Sequence, residues 1–361
     1  MMKRRIGILN SGGDVPGLNA VIAASVKAAY GQDIECVGFI KGFEGLLNPV
    51  SYLELNPSSV AEITGKGGTI LKSVNKGRFP GKVAEGKMNV EDEKVIFEAK
   101  KNIEEMGLEA LIIIGGDGTL STASIMVDLG INIVGVPKTI DNDLSVTDKT
   151  FGFSTAVDMI VEAIDRLRTT ASSHDRIFFV ETMGRNTGWL ALYGGVAAEA
   201  DVILIPEFEF SYDALVKKLQ SNRNEGKNYQ MVVIAEGAQV GGSRVYKEEM
   251  EKQEHLLGGI SELVMRQVSR SIGEDYEMRN IVLGHVQRGG PPNSEDRILA
   301  QRFGEAAVMA ILNKQYGKMV ALKGNDLILT DIKKAVAEIK KVNGSEGLVK
   351  VAQNIGISFG I

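Results

Sequence analysis

The chain has 361 residues, 44% of them hydrophobic and 24% charged, with a formal net charge of −5. That length can bury a large core and points to two lobes. The acidic balance excludes nucleic acid as the main partner, because neutralising a phosphate backbone needs a basic surface. A single cysteine, Cys36, excludes an intrachain disulfide framework and a cysteine-rich zinc site, and a small core residue is expected there. The basic start Met1-Met2-Lys3-Arg4-Arg5 runs into a short strand and then glycines. With no apolar leader and no membrane-length apolar run, a cytoplasmic protein without membrane partners is expected.

Short β-branched runs alternate with amphipathic stretches along the chain. Ile6-Gly7-Ile8-Leu9 reads as a buried strand ending in the glycine turn Ser11-Gly12-Gly13-Asp14, and residues 18–30 read as a helix. Residues 91–106 are charged and helical. Leu111-Ile112-Ile113-Ile114 is an apolar strand followed by a helix over 119–129. Ile133-Val134-Gly135-Val136 is the next strand and leads into Pro137-Lys138-Thr139-Ile140-Asp141-Asn142-Asp143. Val157, Ile160, Val161, Ile164 and Leu167 recur at helical spacing. Ile177-Phe178-Phe179-Val180, Val202-Ile203-Leu204-Ile205 and Val232-Val233-Ile234-Ala235 read as further buried strands. Strand, crossover helix, strand, repeated, implies parallel sheets covered on both faces. Ligands of such folds sit beyond the carboxyl ends of the strands, and nearly every polar motif here follows an apolar strand.

Those motifs suit phosphoryl transfer. In Ser11-Gly12-Gly13-Asp14 the glycines let backbone approach a phosphate at a helix start, although a plain tight turn reads equally well. Gly115-Gly116-Asp117-Gly118-Thr119 is more specific: its glycines permit close contact with a nucleotide or diphosphate, and Asp117 can hold Mg²⁺. It is not a Walker loop, since GxxxxGK[ST] is absent. Asp141 and Asp143, two apart in an extended segment, face one side together with Thr139. One carboxylate can take the proton of an attacking hydroxyl while the other serves a metal or an arginine. A capping loop is the bland alternative. Cationic clusters complete the set: Ser172-Ser173-His174-Asp175-Arg176, Met183-Gly184-Arg185, and Gly284-His285-Val286-Gln287-Arg288-Gly289-Gly290 with Arg279 upstream. An arginine fork binds phosphate bidentately, although arginines paired across a subunit interface would look the same.

Taken with Pro16-Gly17-Leu18-Asn19, Gly67-Gly68-Thr69 and Glu236-Gly237, these segments make the chain resemble the 6-phosphofructokinases over nearly its whole length. The resemblance implies an α/β fold of two similar lobes, each a mostly parallel sheet flanked by helices, with the active site in the cleft between them. Residues 1–150 with 285–337 are expected to form the phosphate-donor (ATP) lobe, and 151–284 with 338–361 the sugar-phosphate lobe. The implied reaction moves the γ-phosphoryl of Mg-ATP to the 1-hydroxyl of fructose 6-phosphate. Asp141 is then the general base, and Arg185, Thr139 and Gly13 stabilise the moving phosphoryl. The donor site comprises Gly12, Gly13, Gly116, Asp117, Gly118, Thr119, Lys138 and Arg78, with Asp117 toward Mg²⁺ and Asp143 nearby. Met183, Gly184, Glu236, His285 and Arg288 belong to the sugar-phosphate site. Arg176 and Arg279 reach that site from a neighbouring subunit, which implies a homo-oligomer, a dimer or a tetramer.

Three departures from the family pattern matter. Gly118 matches ATP users, since pyrophosphate users carry aspartate there, whereas Lys138 matches pyrophosphate users. Position 118 is the steric and electrostatic gate, so ATP is the expected donor, with pyrophosphate as the alternative. After Gly-Gly-Thr the family places an arginine that bridges the substrates. Arg78 fits best here, with Lys72 or Lys76 as substitutes. Finally, Arg168 and Lys227 match the family's basic effector site, whereas Ala23, Glu225 and Tyr229 stand where basic residues are expected. A carboxylate there repels a phosphorylated effector, so a weak response to ADP and phosphoenolpyruvate is expected. Phosphorylation of another sugar phosphate, such as sedoheptulose 7-phosphate, and a non-catalytic sugar-phosphate-binding subunit are the remaining alternatives.

Overall fold

The computed structural model describes residues 4–74, 77–79, 90–240, 243–244, 246–247, 256–257, 259–273 and 276–361. The chain divides into two compact units. The first is Met1–Ile140, Leu144–Thr155 and Arg288–Ile339; the second is Asp141–Asp143, Ala156–Gln287 and Lys340–Ile361. These bounds differ from the expected lobes at four points. Residues 141–143 fall in the second unit, where Lys340 N–H donates to the Asp143 carbonyl at 2.8 Å. Residues 151–155 stay in the first unit, where the Asp296 carboxylate holds Thr155. The later crossings fall at Arg288 and Lys340 instead of 285 and 338.

The first unit is built on β1 (Arg4–Asn10), α1 (Leu18–Tyr30), β2 (Ile34–Phe39), β3 (Tyr52–Leu55), α2 (Val90–Glu105), β4 (Ala110–Gly115), α3 (Asp117–Asp128) and β5 (Ile133–Pro137). Helix α4 (Phe153–Ser173) begins in this unit and continues into the second. The expected helix at 119–129 starts earlier, at Asp117, because Gly116 already serves as its N-cap.

The second unit continues with β6 (Ile177–Thr182), α5 (Trp189–Ala197), β7 (Val202–Leu204), α6 (Tyr212–Asn224) and β8 (Gln230–Ala235). Four two-residue strands follow, β9 (Gln239–Val240), β10 (Ser243–Arg244), β11 (Tyr246–Lys247) and β12 (Leu256–Leu257), then α7 (Ile260–Ile272) and β13 (Met278–Val282). The chain returns to the first unit with α8 (Ser294–Leu312), β14 (Lys318–Lys323), β15 (Asp326–Asp331) and α9 (Ile332–Ala337), and ends in the second with α10 (Gly347–Asn354).

The first sheet runs β15-β14-β5-β4-β1-β2-β3, parallel except for the edge strands β15 and β3. Its central strands β4 and β5 are apolar throughout and every one of their residues is buried, as strands covered on both faces require. From β1 the chain turns through α1 to β2 on one side, and from β4 through α3 to β5 on the other. The gap beyond the carboxyl ends of β1 and β4 is therefore a topological switch point, where open α/β sheets bind ligands. The second sheet, β13-β6-β8-β7, is parallel throughout. From β6 the chain adds β7 and β8 on one side and later β13 on the other, which makes a second switch point at β6 and β13. Cys36 is buried in β2, and burial pushes its thiol up to about 12, so it serves as a core residue. Among the described residues no helix is long and apolar enough to cross a membrane.

Candidate active site

At the first switch point, the turns after β1 and β4 converge. Gly12 has φ +79, a conformation that favours glycine. A Cβ there would lie 3.5 Å from both the Lys138 ammonium and the Thr119 hydroxyl. The Lys138 side chain, only 4% exposed, donates to the carbonyl of Gly13. Its backbone N–H donates to the Gly115 carbonyl at 2.9 Å, which keeps the two turns in register. Arg288 lies over the first turn. Its guanidinium donates to the Asp14 carbonyl at 3.3 Å and would sit 3.0 Å from a Cβ on Gly13.

A third segment closes this site through two asparagines. Asn10, at the end of β1, accepts from Thr69 Oγ1 at 2.7 Å and donates to the Lys72 carbonyl at 3.0 Å. Asn19, on α1, accepts from Ile70 N at 2.9 Å and donates to the Lys66 carbonyl at 3.1 Å. Gly67 packs on the backbone of Gly290, and a Cβ on Gly67 would lie 2.2 Å from the Gly290 carbonyl oxygen, so Gly67 is not replaceable without movement. These grips carry Ser73 to the Gly12 carbonyl, to which its hydroxyl donates. The result is a cavity of about 260 Å³ lined by Gly12, Gly13, Asp14, Thr69 and Ser73.

Gly118 has a different status from the other glycines. It stands in the first turn of α3 and a Cβ there would meet nothing within 4 Å. The fold does not require glycine at this position. Beside it, Asp117 accepts the Gly118 N–H at 2.7 Å. Among the described residues there is no group of three or more His, Cys, Asp or Glu side chains able to hold a metal. The Asp117 carboxylate at the start of α3 suits Mg²⁺, which takes one or two carboxylates and relies on substrate phosphates for the rest.

The substrate-bridging expectation is redirected. Arg78 is tied to Glu44, its Nε 2.9 Å from Oε2, while Phe79 stacks on Phe43 at 4.9 Å. Lys76 lies outside the described residues, and Lys72 is exposed. It is Ser73 and Val74 that bond to Gly12: the Ser73 hydroxyl donates to its carbonyl, and the Val74 carbonyl accepts the Gly12 N–H at 3.4 Å. Sequence reasoning missed Ser73 because a lone serine beside lysines carries no signal.

In the second unit, the ends of β6, β8 and β13 gather the other candidates. Met183, Gly184 and Arg185 follow β6, Glu236 follows β8 and His285 follows β13. Glu236 N donates to the Thr182 carbonyl at 2.8 Å and Gly237 N to the Gly184 carbonyl at 3.1 Å. Gly184 has φ +131, and a Cβ on Gly237 would lie 2.1 Å from the Arg185 carbonyl. This close approach explains the Glu-Gly pair. Gln287, also missed from sequence, is 1% exposed. Its side chain accepts from Met183 N at 3.2 Å and donates to the Gly284 carbonyl at 3.0 Å, joining the two loops. The Asp141 carbonyl accepts from Thr187 Oγ1 at 3.4 Å, so the loop of Asp141 and Asp143 is attached just beyond Arg185. Thr139 belongs to the first unit, where its carbonyl accepts from Thr150 Oγ1 at 2.7 Å.

Arg176 and Arg279 sit elsewhere. They precede and open strands β6 and β13 and share Glu277, with Arg176 at 2.7 Å. At ~3.3 Å per residue, the length of β6 separates them by roughly 20 Å from Met183 and His285. Within one chain these arginines do not join that set. Arg288, expected with the sugar phosphate, lies against Gly13 in the first unit.

Residues 5–311 match the family model described as phosphofructokinase. The chain is 47% identical to an ATP-dependent 6-phosphofructokinase of Chloroflexus aurantiacus, across 99% of this chain and 98% of that one. It is 44% identical to a pyrophosphate–fructose 6-phosphate 1-phosphotransferase of Amycolatopsis mediterranei, across 94% of this chain and 96% of that one. Among solved structures, a phosphofructokinase of Pichia pastoris superposes with a TM-score of 0.81 at 31% identity, covering 93% of this chain and 36% of that larger one.

Proposed function

The chain belongs to the phosphofructokinase family, and we propose that it transfers the γ-phosphoryl of Mg-ATP to the 1-hydroxyl of fructose 6-phosphate, giving fructose 1,6-bisphosphate. The observation that carries this reading is the convergence of Gly12, Gly13, Thr119, Lys138 and Arg288 at one switch point, beside the open space at Gly118. Backbone, ammonium and guanidinium there supply positive potential for a polyphosphate, and a carboxylate in place of Gly118 would repel a nucleotide's α-phosphate.

Asp141 takes the proton from the 1-hydroxyl, which raises the nucleophilicity of that oxygen as it attacks the γ-phosphorus; the bond from that phosphorus to the β,γ-bridging oxygen breaks and ADP leaves. Thr139, Arg185 and the Gly13 backbone donate to the equatorial oxygens, where charge concentrates in a loose transition state. Asp117 would hold the Mg²⁺ that accompanies ATP, and the ion would supply neutralisation of the developing phosphate charge. Met183, Gly184, Glu236 and His285 hold the sugar phosphate, with Asp143 beside the base. Arg288, lying against Gly13, serves the transferring group as well as the sugar phosphate. Arg176 and Arg279 serve the site of a second copy, which their position at the amino ends of β6 and β13 supports; the working protein is then at least a dimer. The reaction belongs to glycolysis in the cytoplasm.

Pyrophosphate is the second reading. The buried Lys138 on Gly13 and the pyrophosphate-using relative favour it. The deciding experiment measures turnover of the purified protein with ATP and with pyrophosphate, each against fructose 6-phosphate and sedoheptulose 7-phosphate. Turnover with Mg-ATP and fructose 6-phosphate is expected; turnover with pyrophosphate alone overturns the assignment of donor.

A further inference from the structure

Residues 340–342, just after the chain re-enters the second unit, run against the loop Asp141–Asp143. Lys340 N–H donates to the Asp143 carbonyl at 2.8 Å. The Lys340 carbonyl accepts from the indole N–H of Trp189 at 2.8 Å, and its ammonium stands 5.2 Å from the centre of that ring. Val342 N–H donates to Glu207 Oε1 at 3.0 Å, and the same oxygen accepts Gly188 N–H at 3.0 Å. Glu207 therefore ties the start of α5 to residues 340–342, and those residues tie α5 to the loop.

Glu207 is an expensive fastener. Its Oε2 is buried without a hydrogen-bond partner, and burial raises its carboxyl above the ordinary range. Two N–H groups could be met by a neutral acceptor at lower desolvation cost. Departures of this kind mark positions kept for geometry and not for stability.

We infer that residues 340–342 act as a strap that positions the Asp141–Asp143 loop, with Glu207 and Trp189 as the positioning residues that hold it. The inference rests on the reading of Asp141 as the base. A base displaced by about 1 Å loses roughly 100-fold in rate, so the strap acts on the chemical step and leaves donor binding in the first unit alone.

Trp189 is the only tryptophan and is 4% exposed, which makes its emission a reporter of the strap. The test compares wild type with Glu207→Ala, Glu207→Gln and Trp189→Phe. Glu207→Ala is expected to shift Trp189 emission to longer wavelength, to lower kcat about 10- to 100-fold with KM for ATP within about twofold, and to move the acid limb of the kcat–pH profile. Glu207→Gln, which keeps an acceptor for both N–H groups, restores most of kcat. Trp189→Phe removes only the donor to Lys340 and gives the same split between kcat and KM, so the inference stays testable even where Glu207→Ala does not fold. A shifted emission with unchanged kcat overturns the inference, as does an unshifted emission. An inactive wild type overturns the functional reading instead, and the emission measurement still decides whether Glu207 holds the strap.

Discussion

The ammonium of Lys138 donates to the main-chain carbonyl of Gly13, joining turns 125 residues apart in sequence. The contact places a nearly buried cation under the loop that we assign to the phosphoryl donor. Replacing Lys138 with methionine keeps the volume and removes the charge. Turnover is expected to fall about 100-fold with either donor, the scale on which one preorganised donor to a transition-state oxyanion is lost. Steady-state kinetics check this, and KM for the sugar phosphate is expected to stay near the wild-type value.

Gly118→Asp separates folding from donor choice. The added side chain enters open space in the first turn of α3. There it gains about 0.2 kcal/mol in helix propensity over glycine, and a negative charge suits that end of the helix. Thermal stability is expected to be unchanged or slightly higher. ATP turnover is expected to fall by about two orders of magnitude, while pyrophosphate turnover falls less. Equal losses with both donors would show that the position does not discriminate.

Arg176→Ala and Asp141→Asn are each expected to be inactive as pure proteins. The two are proposed to fail in different copies' sites, because Arg176 and Arg279 meet at Glu277, at the far ends of β6 and β13 from His285 and Met183. Unfolding and refolding an equal mixture therefore restores part of the activity, since a mixed dimer contains one complete site. Activity that stays at the level of the pure variants rejects a shared site.

The response to ADP and phosphoenolpyruvate is expected to be weak. Arg168 donates to the Ala198 carbonyl and Lys227 pairs with Asp201 at 2.6 Å, so both basic residues that match the effector site are engaged within the chain. Glu225 adds a carboxylate, which accepts from Ser221 at 2.9 Å. Fructose 6-phosphate saturation curves with and without each effector test this; a clear shift in half-saturation contradicts it.

Asp296 predicts a pH effect on stability. It is 0% exposed, and its carboxylate caps the start of α4 by accepting from Thr155 N at 2.7 Å and Oγ1 at 2.6 Å. Burial raises its pKa above the unfolded value. The folded state then binds the proton more tightly, so its contribution is fully present below about pH 4 and is lost as pH rises through the folded value. The melting temperature of Asp296→Asn relative to wild type is expected to improve between about pH 4 and about pH 7. A difference that moves the other way rejects the assignment.

Alternating apolar strands and amphipathic helices are local properties, so the sequence by itself determined the parallel sheets, the turns after β1 and β4, and the family. Parallel strands covered on both faces leave a continuous apolar signature, and glycine turns follow it directly. Hydrogen bonds between distant segments leave no such mark. Only the tertiary structure decided that Ser73, and not Arg78, touches Gly12, that Arg288 covers Gly13, that Gln287 joins the Met183 loop to Gly284, and that Glu207 holds the strap on the Asp141 loop. The same holds for Arg176 and Arg279. Their residue type announced an anion or a carboxylate, but the direction of two strands decided which end of the sheet they occupy. A side chain's chemistry is written at its position; its partners are set by how sheets and crossovers bring other positions to it.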